Sequence, residues 1–254
     1  MKKVFLVIIA LILVLSSAVG LANELTKVYV FGKPLIISKD AAIIDGKLQT
    51  GGAAALIPES WEAGVVNDAV AATVRVTAYN GAGRSNTGGS GFNLSPEGLI
   101  ITCAHVVDEA KSLRVAFHSG VSFPATVLAL DSQKDLAVLS LELPRDNLPT
   151  VALGDALDLR VGDELVILGY PLGDYVVTPG VLSRLSPPAL GDYRAPTLHL
   201  KAAVMKGNSG GPVINRAGAV VGVVSGSYNL QTDDQTIHYG VAVPINEAYR
   251  LLER

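Results

Sequence analysis

Between residues 67 and 243 the chain is a succession of short β-prone segments, and that rhythm limits what it can fold into more than any other feature of the sequence. Runs rich in Val, Ile, Leu and Thr fall at 72–79, 99–103, 113–117, 125–130 and 136–141, then at 164–168, 175–185, 197–204, 219–224 and 237–243. Clusters of Gly, Pro, Asn and Asp separate them. Strands that recur every ~8–12 residues, with turn chemistry between them and no long amphipathic helices, predict an all-β barrel or sandwich. A linker over 144–157 divides the runs into two groups of similar size, which predicts two packed barrels, at 67–147 and 155–244, rather than one large one. A helix is expected only at the end, where Pro244-Ile245-Asn246 introduces 247–253 and Ala248, Leu251 and Leu252 share a face.

The 254 residues, 49% hydrophobic and 17% charged, suffice for a full core and are too apolar for a disordered chain. Residues 1–22 read as an export leader: Met1-Lys2-Lys3, an apolar run from Val4 to Val14, then small residues from Ser16 to Ala22. Cleavage would place the mature start near Asn23. The alternative is an uncleaved anchor, since apolar character extends almost far enough to span a bilayer; only in that case is a membrane a partner. Either way the chain is expected outside the cytoplasm, secreted or in the cell envelope. Loss of Lys2 and Lys3 from the 20 basic residues leaves 18 against 23 acidic ones, a formal charge of −5 that calls for no nucleic-acid partner. The single Cys103 cannot form an internal disulfide. Residues 23–66 form an extension ahead of the domain at 67–254, with a hairpin expected where Val28-Tyr29-Val30-Phe31 turns through Gly32-Lys33-Pro34 into Leu35-Ile36-Ile37.

The sharpest chemical signal is Gly207-Asn208-Ser209-Gly210-Gly211-Pro212, followed by Val213-Ile214. Its G-x-S-x-G pattern is shared by the strand-to-helix elbow of α/β-hydrolases and by the nucleophile loop of trypsin-like peptidases. Gly-Gly-Pro followed by a β-run blocks the helix that the elbow requires. Flanking glycines let backbone N–H groups converge beside an exposed serine hydroxyl, and the oxyanion hole is expected on the Gly207–Asn208–Ser209 segment, with the Gly207 and Ser209 N–H groups as donors. A serine needs a base, and His105, directly after the run at 99–103, has a better setting than His118, His199 or His238. Asp135, at the entrance of the run at 136–141, is the candidate carboxylate to orient it. The order His, Asp, Ser excludes the α/β-hydrolase order Ser, Asp, His. No histidine or cysteine spacing fits a zinc site, and Gly81 to Gly89 lacks the Gly-Lys-Ser/Thr of a phosphate loop, so that stretch is expected to be a flexible loop and no metal or cofactor is expected.

Gly89-Ser90-Gly91-Phe92, Ser95-Pro96-Glu97-Gly98-Leu99-Ile100-Ile101-Thr102, Ala104-His105-Val106-Val107, Asp135-Leu136-Ala137-Val138-Leu139, the Gly207 to Pro212 hexapeptide and Tyr239-Gly240-Val241-Ala242-Val243-Pro244-Ile245-Asn246 together resemble the HtrA/Deg family of trypsin-like serine peptidases over about residues 70–254. The resemblance implies a chymotrypsin-like double β-barrel with a C-terminal helix, an active site between the barrels, and acyl transfer to a polypeptide substrate with no cofactor. Where the family carries Asp-Ala-Ala-Ile-Asn-Pro ahead of Gly-Asn-Ser, this chain has Lys201-Ala202-Ala203-Val204-Met205-Lys206. By analogy Ala203 lies near the floor of the primary specificity pocket and Lys206 flanks it, with Ser225-Gly226-Ser227 as the substrate-pairing edge. An uncharged floor predicts small or medium apolar side chains at the cleavage position. Met205-Lys206 in place of Asn-Pro opens a second reading, a double barrel with a collapsed oxyanion loop that binds rather than cleaves. No PDZ domain, such as many relatives carry, is expected after the last helix. Trimers are common in the family, so a homo-oligomer stands as an open expectation.

Overall fold

The computed structural model describes residues 26–30, 33–37, 41–44, 47–50, 54–55, 61, 63–81, 85–142, 147–173, 175–187, 195–232 and 236–252. The expected leader lies outside them. Among the described residues no helix is long and apolar enough to cross a membrane. Near the start, β1 (Thr26–Val30) pairs antiparallel with β2 (Lys33–Ile37), and β3 (Ala41–Ile44) with β4 (Lys47–Thr50), followed by the two-residue β5 (Ala54–Ala55).

A helix that the sequence rhythm did not announce, α1 (Ala63–Ala72), precedes the first barrel. Its Val, Gly and Asn residues are mediocre helix formers. Burial outweighs that propensity: Val66, Ala69 and Ala72 recur at helical spacing on one face and join the core beside Trp61.

The first barrel comprises β6 (Thr73–Tyr79), β7 (Ser85–Asn93), β8 (Leu99–Thr102), β9 (Ser112–Phe117), β10 (Ser122–Asp131) and β11 (Leu136–Leu141), closed in the order β10-β11-β8-β7-β6-β9. A short helix, α2 (Ala104–Val107), follows β8. The second barrel comprises β12 (Glu164–Gly169), β13 (Val176–Ser186), β14 (Thr197–Lys201), β15 (Pro212–Ile214), β16 (Val220–Gln231) and β17 (Thr236–Pro244), in the order β12-β15-β16-β17-β14-β13, and the β12–β13 pairing closes the ring. Strand β5 adds parallel to β13. The chain then enters α3 (Asn246–Leu252), which buries Ala248 and Leu251 as the sequence pattern requires, together with Glu247.

Burial along the strands explains both the alternating and the continuous apolar runs. In β9, Leu113, Val115 and Phe117 point inward while Ser112 and Arg114 are exposed, the period-2 pattern of a strand with one wet face. In β12 five consecutive residues, Leu165 to Gly169, are buried because each face has a core: Leu165 and Ile167 fill the second barrel, whereas Val166 and Leu168 belong to a cluster shared with the first. Strand β12 is therefore a wall between the barrels.

Two stretches depart from the sequence reading. Ser85 to Gly89, expected in a flexible loop, belong to β7. The glycine there serves close approach rather than freedom: a Cβ on Gly89 would lie 2.7 Å from Val106 Cγ2 and 2.8 Å from the Ser209 carbonyl. Strand β14 ends at Lys201, short of the expected 204, because the chain turns at Val204, whose N–H donates to the Ala202 carbonyl at 3.0 Å.

Candidate active site

His105 sits in α2, immediately beyond β8, and Asp135 ends the turn that leads into β11. Strands β8 and β11 pair antiparallel, with Thr102 opposite Ala137, so the ends that carry the two residues are adjacent although thirty positions separate them in the chain. His105 Nδ1 lies 2.9 Å from Asp135 Oδ1 and 2.8 Å from Oδ2, and the His105 backbone N–H donates to Oδ1 at 3.0 Å. Asp135 adopts φ 56°, the left-handed region that non-glycine residues seldom visit, and these bonds hold it there.

A third donor comes from the other barrel. The Ser225 hydroxyl donates a short hydrogen bond to Asp135 Oδ2. The next residue back, Val224, accepts at its carbonyl from Cys103 Sγ at 3.1 Å and from the Gly210 N–H at 2.7 Å. Ser225, expected on the substrate-pairing edge, commits its side chain to a carboxylate ninety positions away, a contact for which the sequence gives no signal.

The electrostatics follow from these contacts. The hydrogen bond to Asp135 is the main cause that raises the His105 pKa above the usual 6.5, and the carboxylate charge adds to it against the opposing effect of burial. Burial works to raise Asp135, but the His105 ring, the Ser225 hydroxyl and the His105 amide together hold it below its ordinary value. Burial foremost, reinforced by Asp135, pushes the Cys103 thiol well up. Cys103, His105 and Asp135 offer ligand atoms within 4.8 Å of one another. The thiol keeps its proton there and Nδ1 is already engaged, so the trio suits a hydrogen-bonded pair with a thiol behind it better than a metal ion.

Ser209 stands in the loop between β14 and β15. Gly210, at φ 85°, presses that loop onto the end of β8: an added Cβ would overlap the Ser90 carbonyl and the Thr102 hydroxyl, and lie 3.0 Å from the Cys103 amide nitrogen. Among the described residues, no hydrogen bond joins the Ser209 hydroxyl to His105. Catalytic hydrogen bonds often tighten only once substrate is present.

The loop's backbone groups are unevenly used. The N–H of Asn208 donates to the Met205 carbonyl at 3.1 Å, that of Gly210 to Val224 at 2.7 Å and that of Gly211 to Asn208 at 2.9 Å. The N–H groups of Gly207 and Ser209 have no acceptor among the described residues. Of the three residues expected at the oxyanion hole, Gly207 and Ser209 thus keep free donors. The Asn208 amide is already spent.

Ser90 holds the loop in this state. Its hydroxyl donates to the Gly207 carbonyl at 2.7 Å and accepts from the Tyr170 N–H at 2.8 Å, while its own N–H donates to the Ser209 carbonyl at 2.7 Å. Thr102 Oγ1 in turn donates to the Ser90 carbonyl at 2.7 Å. Sequence reasoning gave Ser90 no role, although its place between Gly89 and Gly91 was a visible signal of close packing.

The residues expected at the substrate lie beside this loop. Ala203 and Lys206 are exposed. Gly226 and Ser227 pair with Val241 and Gly240 of β17, and β15 pairs with β16 only over Val223 to Val220, so the other edge of 225–227 carries no strand partner among the described residues.

Comparison with known proteins agrees with this fold. The model described as "Trypsin-like peptidase domain" matches residues 89–223, more than half of the chain. The "Probable periplasmic serine endoprotease DegP-like" of Halomonas elongata is 37% identical over 161 residues, 63% of this chain and 33% of that protein. The chloroplastic "Protease Do-like 1" of Arabidopsis thaliana is 33% identical over 160 residues, 61% of this chain and 36% of that protein. The match thus spans about a third of each curated relative. Among solved structures, "HtrA-type protease AlgW with tripeptide" superposes with a TM-score of 0.66 at 29% identity, covering 75% of this chain and 62% of the other. With its two closed six-stranded barrels, its terminal helix and this match, the chain belongs to the family of trypsin-like peptidase domains.

Proposed function

We propose that the protein is a serine endopeptidase that hydrolyses peptide bonds of extracytoplasmic proteins through an acyl-enzyme. Ser209 attacks the carbonyl carbon, His105 Nε2 takes its proton, and the free N–H groups of Gly207 and Ser209 receive the charge that develops on oxygen. The collapsed intermediate leaves an ester on Ser209 and an amine that regains the proton from His105; water then repeats the sequence and frees the acid. Asp135 holds the ring with Nδ1 protonated and stabilises the imidazolium. The free Gly207 and Ser209 N–H groups are the single observation that carries the reading, since each such donor is typically worth about 10²–10³ in turnover.

The same observation weighs against a protein that only binds. A collapsed loop would have spent one of the two amides on a nearby carbonyl, as Asn208 spends its own. The extracytoplasmic setting draws support from the leader-like start and from relatives described as periplasmic. The open edge at Ser225–Ser227 supports a polypeptide substrate in extended form, and the uncharged Ala203 supports a small or medium apolar side chain at the cleavage position.

Unfolded casein incubated with the purified protein tests the reading: cleavage is expected, with loss in Ser209→Ala. Casein that stays intact with the parent protein, while binding to it persists, would establish the binding role instead.

A further inference from the structure

A cavity of about 190 Å³ borders His105 and has no part in the mechanism just given; Asn80, His105, Val106, Asp108, Glu109 and Ala110 line it. It has room for several waters or one long side chain. Its place relative to Ser209 decides which part of a substrate reaches it. Ser209 is flanked on one side by β16, through the Gly210 N–H to Val224 contact, and on the other by β7, through the Ser90 N–H to the Ser209 carbonyl, each 2.7 Å. Val106 of the cavity wall lies over Gly89 of β7. An extended peptide whose acyl half pairs with the edge at Ser225–Ser227 therefore sends its leaving half across β7 toward α2. His105 itself lines the cavity, so the leaving-side residues nearest the scissile bond are the ones that pass it.

The charge of the lining is one-sided. Asp108 and Glu109 are exposed and have no ion-pair partner among the described residues, and the lining includes no Lys or Arg. The next cation along the chain, Lys111, is not part of this lining and borders a separate depression with Arg114. Val106 and Ala110 offer apolar surface to a methylene stem, while the two carboxylates offer a counter-charge to its head.

We propose that this cavity is a leaving-side subsite that takes a Lys or Arg side chain of the substrate, with Asp108 and Glu109 as its specificity-determining residues. The inference rests on the serine-peptidase reading. Its test is a set of internally quenched peptides with one common acyl half and Lys, Gln or Glu at the first or second leaving-side position. Values of kcat/KM are measured with the full chain, with the Asp108→Asn/Glu109→Gln double variant and with Asp108→Lys, at low and high salt.

Lys is expected to exceed Gln by about five-fold, the factor that one attraction across ~4 Å of water corresponds to, and Gln to exceed Glu by a similar factor. The ratios are expected to shrink in salt and approach one in the double variant, and Asp108→Lys is expected to shift preference toward Glu. Each variant is read as its own Lys-to-Glu ratio, so a loss of folded protein does not imitate the result. Ser209-dependent cleavage with no charge preference, or with a preference that survives both variants, overturns the subsite alone. No Ser209-dependent cleavage of any peptide overturns the peptidase reading and the subsite with it.

Discussion

The two ends of the catalytic line are built on opposite principles. At the Asp135 end both carboxylate oxygens are engaged: they receive the His105 ring, the His105 amide and the Ser225 hydroxyl. At the Ser209 end the carbonyls of Gly207 and Ser209 are pinned by Ser90, yet the N–H groups of the same two residues are unspent. On the proposed mechanism the saturated end holds a charge present throughout the cycle, and the unsaturated end would receive a charge that develops only in the transition state, which donors committed beforehand could not serve. What the two ends share is rigidity, since each is fixed by bonds that cross between the barrels.

The largest effect should come from breaking the saturated end. Asp135→Asn is expected to lower kcat by about 10⁴-fold, the scale of loss when such a histidine loses its correct tautomer. It should also move the acid limb of the pH–rate profile down, because the contact that raises the His105 pKa disappears. In the parent protein that limb is expected above the usual histidine value of 6.5, with activity lost as pH falls through it.

Stability runs the other way. A raised histidine pKa stabilises the fold fully below 6.5 and ceases to do so as pH rises through the folded value. The lowered Asp135 pKa contributes above its usual value and is lost only as pH falls through the depressed one. Thermal unfolding followed beside activity from pH 5 to 8, the range in which histidines commonly titrate, should show His105 helping the fold where it no longer helps the reaction.

A smaller loss is expected from loosening the unsaturated end without touching its donors. Ser90→Ala removes the anchor of the Gly207 carbonyl and leaves buried groups without partners, for about 1–3 kcal/mol of stability and about 10–100-fold in kcat, with a lesser change in KM. Denaturant melts and steady-state kinetics separate the two contributions. The smallest effect is expected behind Asp135, where Lys134 Nζ reaches Glu247 Oε2 of α3 at 2.7 Å. The lysine is partly exposed, so Glu247→Gln should cost about 1 kcal/mol, read by the same melts, with kcat changed less than two-fold.

Much of this architecture was legible in the sequence, because the signals that carry it are local. The period-2 run of β9 and the exposed turn before β11 both announce themselves, and the hexapeptide around Ser209 names its own chemistry. Helix α1 was hidden because its support comes from Val66 and Ala69 meeting a core that the segment itself does not encode. Strand β7 was hidden because glycines needed for close approach to Val106 and Ser209 look like those of a loop. At the site, His105, Asp135 and Ser209 could be nominated by type and order. The contributions of Ser225 and Ser90 could not, since each depends on a contact across the barrel interface.

The activation of Ser209 by His105 is open to a fluorophosphonate probe with mass-spectrometric mapping of the adduct. A single adduct on Ser209 is expected, formed at a rate that falls with acid through a pKa above 6.5 and is lost in His105→Ala. An adduct on another residue, or a Ser209 adduct whose rate is indifferent to pH and to His105, would contradict it.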